Sequence, residues 1–539
     1  MAKEDDGGMW IEQKAGELLG RITKSEKAMF LSAFFGGIIA HLYAYTNTIP
    51  NFDGISRMYD EQQMTISGRW FLHYASALNW YTQMPMVLGV LGMFFLALSG
   101  MIIVHLFDLK SPLLSGLWGA LFVVFPAVMD TNTYIYTSSA YYLAVLIAVI
   151  AVWAVKRGKW GIPVGILLLA VSMGIYQTYV TVAIMLCMLL VMQEVMDERS
   201  EVKKIILLGV RFVLFLGLGA ALYYVVLKAV LRVKGLKLLS YLGMSEVESG
   251  YPFRQLGMIV KKTYIQVGSF FFAGANGQKS ALPLVVHILL LAVMLLLLAL
   301  VLKERGVYRD RVKLLGFLVL LLLLPLGANF TQILSPYTEP RLIMKFSFVF
   351  FYLVPVLLIN QLNENKTGKI LGEIAAVVLS CGLMVTTIYD WEYDNVMYTM
   401  LNQVHRSTLS FVTNVVSRIE NCENYEMGMP VVVIGGFPSD RYDSDIEVYD
   451  VVRSGSALSS SVIPLNKHIY YYMNDWLNIP VQKPEEDVFV RIAETENFKQ
   501  MPLYPNDGSV QIIDGCVVVK MQETYTPMSD YEKEYENRR

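Results

Sequence analysis

Carboxylate and guanidinium groups gather just beyond the first apolar stretch of the chain. Asp53, Arg57 and Asp60 lie within one short segment, and Arg69 and Trp70 follow a few residues later. A carboxylate that is partly removed from water has a raised pKa, so it can accept a proton from a hydroxyl group near neutral pH. An arginine beside it can hold a phosphate through paired hydrogen bonds. These residue types favour chemistry on a polar substrate at a membrane surface; the alternative is an ordinary solvated loop.

A second polar segment, residues 130–138, separates two later apolar stretches. It contains Asp130, Asn132 and Tyr134 together with several hydroxyl groups. Carboxylate, amide and hydroxyl groups next to aromatic faces suit the binding of a sugar ring. An interfacial belt of aromatic residues would explain the tyrosines equally well, but it would explain neither Asp130 nor Asn132.

Two further polar features interrupt apolar sequence. Tyr176 and Gln177 lie within the most apolar part of the chain, where polar groups are costly unless they are paired or functional. Function and hydrogen bonding between helices are both open explanations there. Arg341 begins another apolar stretch, near the depth expected for a lipid-linked phosphate, and a snorkelling arginine is the alternative.

The elements that position these residues are predicted to be transmembrane helices. The chain of 539 residues is 55% hydrophobic with a mean hydropathy of +0.46, which is too apolar for a soluble protein of this size. Stretches of about 20 apolar residues can cross a membrane. The predicted spans are 26–46, 85–107, 112–129, 138–155, 160–176, 178–196, 206–229, 282–302, 312–329, 341–361 and 370–388. The fifth and sixth are nearly continuous, so a single long buried helix is an alternative there.

Charge distribution predicts the orientation and the domains. Lysine and arginine concentrate in alternate connections, which places the N-terminus inside and the C-terminus outside. Residues before Asp390 carry a formal charge of +10, and those from Asp390 onward carry −12. The predicted parts are an amphipathic N-terminal arm (1–25), a transmembrane domain (26–388), an extracytoplasmic α/β or α+β domain (389–527) and a charged disordered tail (528–539). The acidic C-terminal part argues against a nucleic-acid partner.

Other motifs give little indication of function. The sequence has no phosphate-binding glycine loop and no zinc-binding pair of histidines on a helix. Asp443 and Asp445 have the spacing of a metal and nucleotide-sugar motif, but the predicted orientation places them outside, away from nucleotide sugars. Cys422 and Cys516 could form a disulfide or remain free thiols. No cofactor is certain, although Asp53 and Asp60 could share a divalent cation.

The order of several short motifs resembles a known family. Asp53 follows the first apolar anchor, and three segments come after it: 67–71 (Ser-Gly-Arg-Trp-Phe), 172–179 (Ser-Met-Gly-Ile-Tyr-Gln-Thr-Tyr) and 340–342 (Pro-Arg-Leu). This arrangement is similar to that of the bacterial type II glucosyltransferases, which modify O-antigen and related surface glycans and belong to the GT-C class of polytopic membrane enzymes. The similarity covers about residues 25–390.

The resemblance implies a membrane glycosyltransferase that uses a polyprenyl-phosphate sugar, glucose in the best-known members. The acceptor would be a cell-surface glycan, and the enzyme would lie among the lipids of the bacterial inner (plasma) membrane with its site outside the cytoplasm. In this class an acidic residue of the first outer loop acts as the base, and Asp53 matches it, with Asp60 as the second choice. Charge and position, not the motif, make Arg57, Arg69 and Arg341 candidates for holding the departing phosphate.

Two other functions are compatible with the same composition. A flippase or exporter of a lipid-linked glycan would need similar spans and external arginines, but it predicts polar residues along a path through the bundle. The unusual residues of this chain instead cluster on one side, which favours surface chemistry. A scaffold whose C-terminal part binds wall polymer is the third possibility, and deletion of the residues after Asp390 would distinguish it from an enzyme.

Overall fold

The chain has two compact units. The computed structural model describes residues 7–56, 61–79, 82–238, 255–273, 281–336, 339–362, 366–436, 463 and 466–526. The first unit consists of the described parts of Met1–Thr48 and Tyr59–Met397. The second unit consists of the described parts of Ile49–Met58, Tyr398–Asp450 and Ala457–Arg539.

Helices make up all the regular structure of the described residues up to Glu420. In order, they are α1 (Gly7–Gly20), α2 (Lys24–Ala40), α3 (Leu42–Thr46), α4 (Phe52–Ser56), α5 (Glu61–Ile66), α6 (Leu72–Ser76), α7 (Pro85–Phe107), α8 (Pro112–Val124), α9 (Pro126–Asn132), α10 (Ile135–Arg157), α11 (Gly161–Ile175), α12 (Val180–Met196), α13 (Val202–Lys234), α14 (Leu256–Phe272), α15 (Ala281–Glu304), α16 (Arg311–Ala328), α17 (Phe330–Leu334), α18 (Phe350–Gln361) and α19 (Lys366–Glu420). Short 3₁₀ turns occur at Ala77–Asn79, Gln177–Tyr179, Val307–Arg309 and Leu342–Val349.

Several of these helices are long and apolar enough to cross a membrane. Eight stretches of the described chain meet this condition, and the bent pair α8 and α9 would make a ninth. The eight are Pro85–Phe107, Ile135–Arg157, Gln177–Met196, Val202–Lys234, Leu282–Glu304, Arg311–Ala328, Leu342–Gln361 and Lys369–Glu420. On α13, Val213 and Leu214 are 69% and 55% exposed. Large exposed apolar side chains on so apolar a helix are expected where lipid is the solvent.

Every one of the eleven predicted spans overlaps a helix, but not every helix is long enough to cross a membrane alone. α2 has 17 residues and α11 has 15. The predicted span 112–129 is bent by 43° between α8 and α9. Pro126 begins α9 there, and its ring prevents the preceding helix from continuing straight through. The count of eleven therefore stays a prediction.

The chain breaks between α11 and α12, so the alternative of one long helix is not what forms. Tyr176 has extended backbone angles (φ −154°, ψ 115°) and is followed by a 3₁₀ turn. The carbonyl of Gly174 accepts a hydrogen bond from the backbone N–H of Phe71, at 2.8 Å. The Gly174 carbonyl, at the end of α11, thus has a hydrogen-bond partner outside the helix.

Three of the membrane-length stretches are mostly buried. The buried share of the most apolar window is 72% for Ile135–Arg157, 78% for Gln177–Met196 and 83% for Leu342–Gln361. α10 packs against α7, α11 and α12. Five of the eleven candidate site residues precede α10 or α12 directly in the chain: Asp130, Asn132, Tyr134, Tyr176 and Gln177.

The second unit contains a small sheet. Its strands are β1 (Val431–Ile434), β2 (Val510–Ile513) and β3 (Cys516–Lys520), in the order β1-β3-β2. β3 pairs in parallel with β1 and antiparallel with β2. The strands predicted at 431–434 and 517–519 are thus confirmed. The helical elements after β1 are Asn466–Tyr471, Tyr472–Trp476, Glu486–Glu494 and Glu496–Gln500.

The core of the second unit draws on distant parts of the sequence. Ile55 of α4 is buried with Val415 of α19 and Val518 of β3 in one apolar cluster. Burial raises the pKa of the Cys516 thiol, and all four cysteines of the chain are free. The predicted domain boundary at 388 lies inside α19, while the predicted tail 528–539, Asp443 and Asp445 lie outside the described residues.

Candidate functional site

The guanidinium group of Arg69 lies against stacked tyrosine rings. Its Nη1 donates to the Tyr141 hydroxyl at 3.0 Å, and its Cζ lies 4.7 Å from the centre of the Tyr176 ring. The rings of Tyr141 and Tyr176 are stacked with centroids 4.7 Å apart, and the ring of Tyr179 meets both edge-on. Tyr141 and Tyr176 are each 3% exposed. A cation over buried aromatic faces is held more strongly than at an exposed surface, because little water competes with it.

Backbone atoms hold the segment 67–71 in this position. The Gln177 side chain donates to the Ser67 carbonyl at 2.9 Å, and the Tyr223 hydroxyl donates to the Gly68 carbonyl at 3.0 Å. The backbone hydrogen bond between Phe71 and Gly174, described above, is the third bond that holds this segment. Gly68 has φ of 83°, a left-handed conformation that a residue with a side chain rarely adopts. The predicted motifs at 67–71 and 172–179 are therefore parts of one structure.

Trp70 packs where residue 174 has no side chain. A Cβ atom on Gly174 would lie 2.6 Å from Cε2 of the indole ring, so only glycine leaves room for the tryptophan there. Trp70 is partly exposed, and its indole N–H has no hydrogen-bond partner among the described residues. The nitrogen atom is itself buried, and a buried donor is normally satisfied, so Trp70 is an exception to that rule.

Asp130 is a fully buried carboxylate at the end of α9. Its Oδ2 accepts a hydrogen bond from the backbone N–H of Ile343 at 2.7 Å, and its exposure is 0%. This bond joins the second predicted polar segment to the start of the 3₁₀ turn Leu342–Val349. A buried carboxylate needs such partners because its removal from water is costly. Asp130 thus fixes the backbone next to Arg341.

Lys345 brings a second buried cation to the same region. Its residue exposure is 7%, and its Nζ lies 3.6 Å from Oε1 of Glu339, which is largely exposed. The backbone is kinked at Lys345 within the 3₁₀ turn. The Glu339 carboxylate offsets part of the positive field of Lys345, and because Glu339 is largely exposed, water screens its contribution.

Aromatic contacts connect the two groups. The ring of Tyr179 meets the ring of Phe346 edge-on at 6.2 Å, and Phe346 in turn contacts Phe122. Tyr179 also touches Tyr141 and Tyr176, the two rings against Arg69. The residues around Arg69 and those around Asp130 and Lys345 consequently form one continuous region, which we call the polar site.

Asn132 has partners in the interior of the first unit. Its Nδ2 donates to the Tyr45 hydroxyl at 3.3 Å, and its Oδ1 accepts from the Tyr142 hydroxyl at 2.8 Å. Tyr134 is 8% exposed and precedes α10. Arg341 is half-buried and precedes the 3₁₀ turn, with its carbonyl accepting from the Met344 N–H at 2.9 Å. Asn132 and Tyr134 closely follow Asp130 in sequence, and Arg341 lies two residues before Ile343, whose N–H donates to Asp130.

The candidate residues of the first predicted loop belong to different units of the structure. Asp53 is half-buried in the first turn of α4, which belongs to the second unit. The next N–H, that of Gly54, donates to Oδ1 of Asn51 at 2.7 Å. Arg57 and Asp60 lie outside the described residues. Arg69, Trp70, Tyr176 and Gln177 come together in the first unit, as set out above.

Two groups of the polar site were missed by the sequence reasoning. Lys345 lies in a predicted span, and a lysine inside an apolar run is itself a signal of function. Tyr223 lies within α13 and gives no signal in the sequence, since its role depends on a bond to a distant carbonyl. No group of three or more His, Cys, Asp or Glu residues suited to a metal occurs in the ranges that the structure describes.

Together the fold and the polar site define a helical protein with membrane-length apolar segments that carries cations, aromatic faces and a buried carboxylate at one end of its central helices. A family model described as "Glucosyl transferase GtrII" matches residues 42–359. The chain therefore belongs to the GtrII glucosyltransferase family, as its motifs predicted. Searches of curated proteins and of solved structures found no match.

Proposed function

We propose that the protein transfers a hexose, glucose as the first choice, from a polyprenyl-phosphate donor to a glycan outside the cytoplasm. The family supports glycosyl transfer and does not favour the flippase or exporter alternative. The proposed enzyme has a GT-C-like fold, about eleven spans, and an orientation with the N-terminus inside and the C-terminus outside. Its proposed location is the bacterial inner membrane.

The observation that carries the proposal is the setting of Arg69. This cation rests on the buried rings of Tyr141 and Tyr176, and its Nη1 donates to the Tyr141 hydroxyl. Departure of a lipid phosphate builds negative charge on phosphate oxygens, and fixed cations in a poorly hydrated site stabilise that charge. Lys345 and Arg341 add positive charge in the same unit. A phosphate leaving group also removes the need for a nucleotide-binding fold.

Aromatic and polar groups beside these cations suit the sugar. Trp70 is partly exposed, so its indole ring offers stacking to a hexose. The Tyr176–Gln177 break brings further polar groups to the same end of the helices. We assign the sugar to this part of the polar site.

The proposed reaction is a single displacement. The oxygen of an acceptor hydroxyl forms a bond to the anomeric carbon while the bond from that carbon to the phosphate oxygen breaks. The electron pair leaves with the polyprenyl phosphate, and Asp53 accepts the proton of the acceptor hydroxyl. Asp60 is the second choice for the base, and a divalent cation shared by Asp53 and Asp60 is compatible with the same reaction.

Transfer of labelled hexose by the purified full-length protein tests the proposal. The donors are polyprenyl phosphates that carry glucose, galactose or mannose, and the acceptor is cell-envelope glycan. Asp53→Asn should lower the rate by about 100-fold or more, the usual contribution of a general base, while Asp60→Asn should have a smaller effect. Full activity of a correctly folded Asp53→Asn protein would remove the role of Asp53, and no transfer from any donor would contradict the function.

A further inference from the structure

A cavity of about 650 Å³ lies at the end of the first unit opposite the polar site. α10 is 23 residues long, so the two ends are roughly 35 Å apart. Four cationic side chains line the cavity: Lys156, Lys204, Arg211 and Arg305. They come from the C-terminal ends of α10 and α15 and from the first turns of α13. We call this space the cationic cavity.

The cations are only partly engaged by the protein. Arg211 donates to the Val155 carbonyl, and Nε of Arg305 donates to the Gln361 carbonyl at 2.8 Å. Each guanidinium group has five N–H donors, so these single bonds leave others available. Nε of Arg211 has no hydrogen-bond partner within the described ranges. The cavity therefore contains donors and positive charge that internal contacts do not use.

The two acidic residues that line the cavity already have partners within the protein. Glu194 forms an ion pair with Lys204 and accepts a hydrogen bond from Ser200. Asp197 is partly desolvated, which opposes ionisation, but the Arg199 N–H, the Ser200 hydroxyl and nearby lysines outweigh this and lower its pKa. Both carboxylates are thus satisfied by neighbours, and the four cations and two carboxylates that line the cavity leave a net charge of +2.

The apolar surroundings of the cavity indicate an amphiphilic ligand. Leu207 and Leu208 of α13 line it next to the cations. Leu207 is 59% exposed, and Val210 and Leu214, further along the same helix, are 49% and 55% exposed. A molecule with a phosphate in the cavity could therefore lay its acyl chains along α13. Basic pockets between membrane helices bind lipid headgroups by this combination.

We propose that the cationic cavity binds the phosphate headgroup of an anionic glycerophospholipid of the surrounding leaflet. The competing explanation is that the cations only compensate the carbonyl ends of the helices, where positive charge is favourable in any case. That explanation predicts no selectivity among lipids. The proposal is independent of glycosyl transfer, so its failure would leave the proposed function untouched.

Lipid binding to the full chain in neutral detergent tests the proposal. Phosphatidylglycerol and phosphatidylcholine would be titrated separately, with bound lipid counted by native mass spectrometry and the thermal unfolding midpoint followed in parallel. We expect phosphatidylglycerol to bind selectively. Arg211→Gln should weaken it roughly fivefold, the effect of one cation near an anionic headgroup. Lys204→Gln should weaken it by a similar factor, because it leaves the Glu194 carboxylate in the cavity without its cation. Lys203→Gln, an adjacent lysine that does not line the cavity, is the matched control.

The outcomes separate the possibilities. Selective binding that falls in both cavity variants and not in Lys203→Gln supports the proposal. Equal binding of the two lipids, or unchanged binding in the cavity variants, overturns it. Competition by millimolar inorganic phosphate that displaces all the lipid would also overturn it, because the ligand would then be a soluble anion. If Arg211→Gln does not fold, Lys204→Gln decides, since its side chain is 65% exposed.

Discussion

The two ends of α10 and α12 use positive charge in different ways. At the end where α10 and α12 finish, Arg211 donates to the Val155 carbonyl of α10 and Arg305 donates to the Gln361 carbonyl of α18, where the helix dipole already favours cations. At the other end, where α10 and α12 begin and α11 finishes, Arg69 lies on the faces of Tyr141 and Tyr176, and its Nη1 donates to a side-chain hydroxyl. The first arrangement places cations on helix carbonyls, and the second places a cation on aromatic rings. We therefore propose a binding role for Arg69.

Arg69→Gln should have the largest effect and is the sharpest test of this comparison. We expect transfer to fall about 100-fold through kcat, because a fixed cation that stabilises a departing phosphate acts mainly in the transition state. Steady-state kinetics with the labelled donor would measure it. Arg69→Lys should recover part of the rate, and Lys203→Gln at the opposite end should leave it unchanged. Equal loss in Arg69→Gln and Lys203→Gln would abolish the distinction between the ends.

Asp130→Ala should destabilise the first unit and reduce transfer. The substitution leaves the buried N–H of Ile343 without its acceptor, which costs about 2 kcal/mol. Thermal unfolding in detergent, followed by tryptophan fluorescence, would measure the change. Asp130→Asn retains an oxygen acceptor, so it should keep most of the stability. If the Asn variant is stable but inactive, the charge of Asp130 is needed for function as well as for structure.

Much of the architecture was predictable from the sequence, and the assembly of the polar site was not. The positions of α7 and α15 follow from runs of apolar residues, and the break at Tyr176 follows from polar residues within such a run. The association of Arg69 with Tyr141 depends on bonds between distant backbone atoms, which no local pattern encodes. The grouping of Asp53 with the second unit was also not foreseen, because burial of Ile55 depends on tertiary packing.

Gly174→Ala tests how far the polar site depends on close packing. The new Cβ would lie 2.6 Å from the Trp70 ring, so either the ring or the backbone must move. Overpacking of this kind costs about 1 to 2 kcal/mol, and we expect a lower unfolding midpoint with reduced transfer. Gly217→Ala on α13, where a Cβ meets no atom within 4 Å, is the control. It should be neutral or stabilising, since alanine favours helix more than glycine does. Equal midpoints for the two variants would contradict the packing argument.

Glu339→Gln should have the smallest effect. Its carboxylate pairs with Lys345, but the Glu339 side chain is 69% exposed. Exposed members of ion pairs contribute less than about 1 kcal/mol, so stability should change little. The apparent KM for the phosphate donor should fall slightly, because Lys345 loses a competing anion. A large rise in KM would instead assign Glu339 to substrate binding.

The three hydrogen bonds that hold residues 67–71 have a consequence for which amino-acid replacements the segment tolerates. Within the segment these bonds use the carbonyls of Ser67 and Gly68 and the N–H of Phe71, all of them main-chain groups. Main-chain groups survive most amino-acid replacements. Replacement of Arg69 or Trp70 would therefore change the side chains that the segment presents while these three backbone bonds remain available. Gly68, with its left-handed conformation, is the position in the segment where such evolutionary freedom ends.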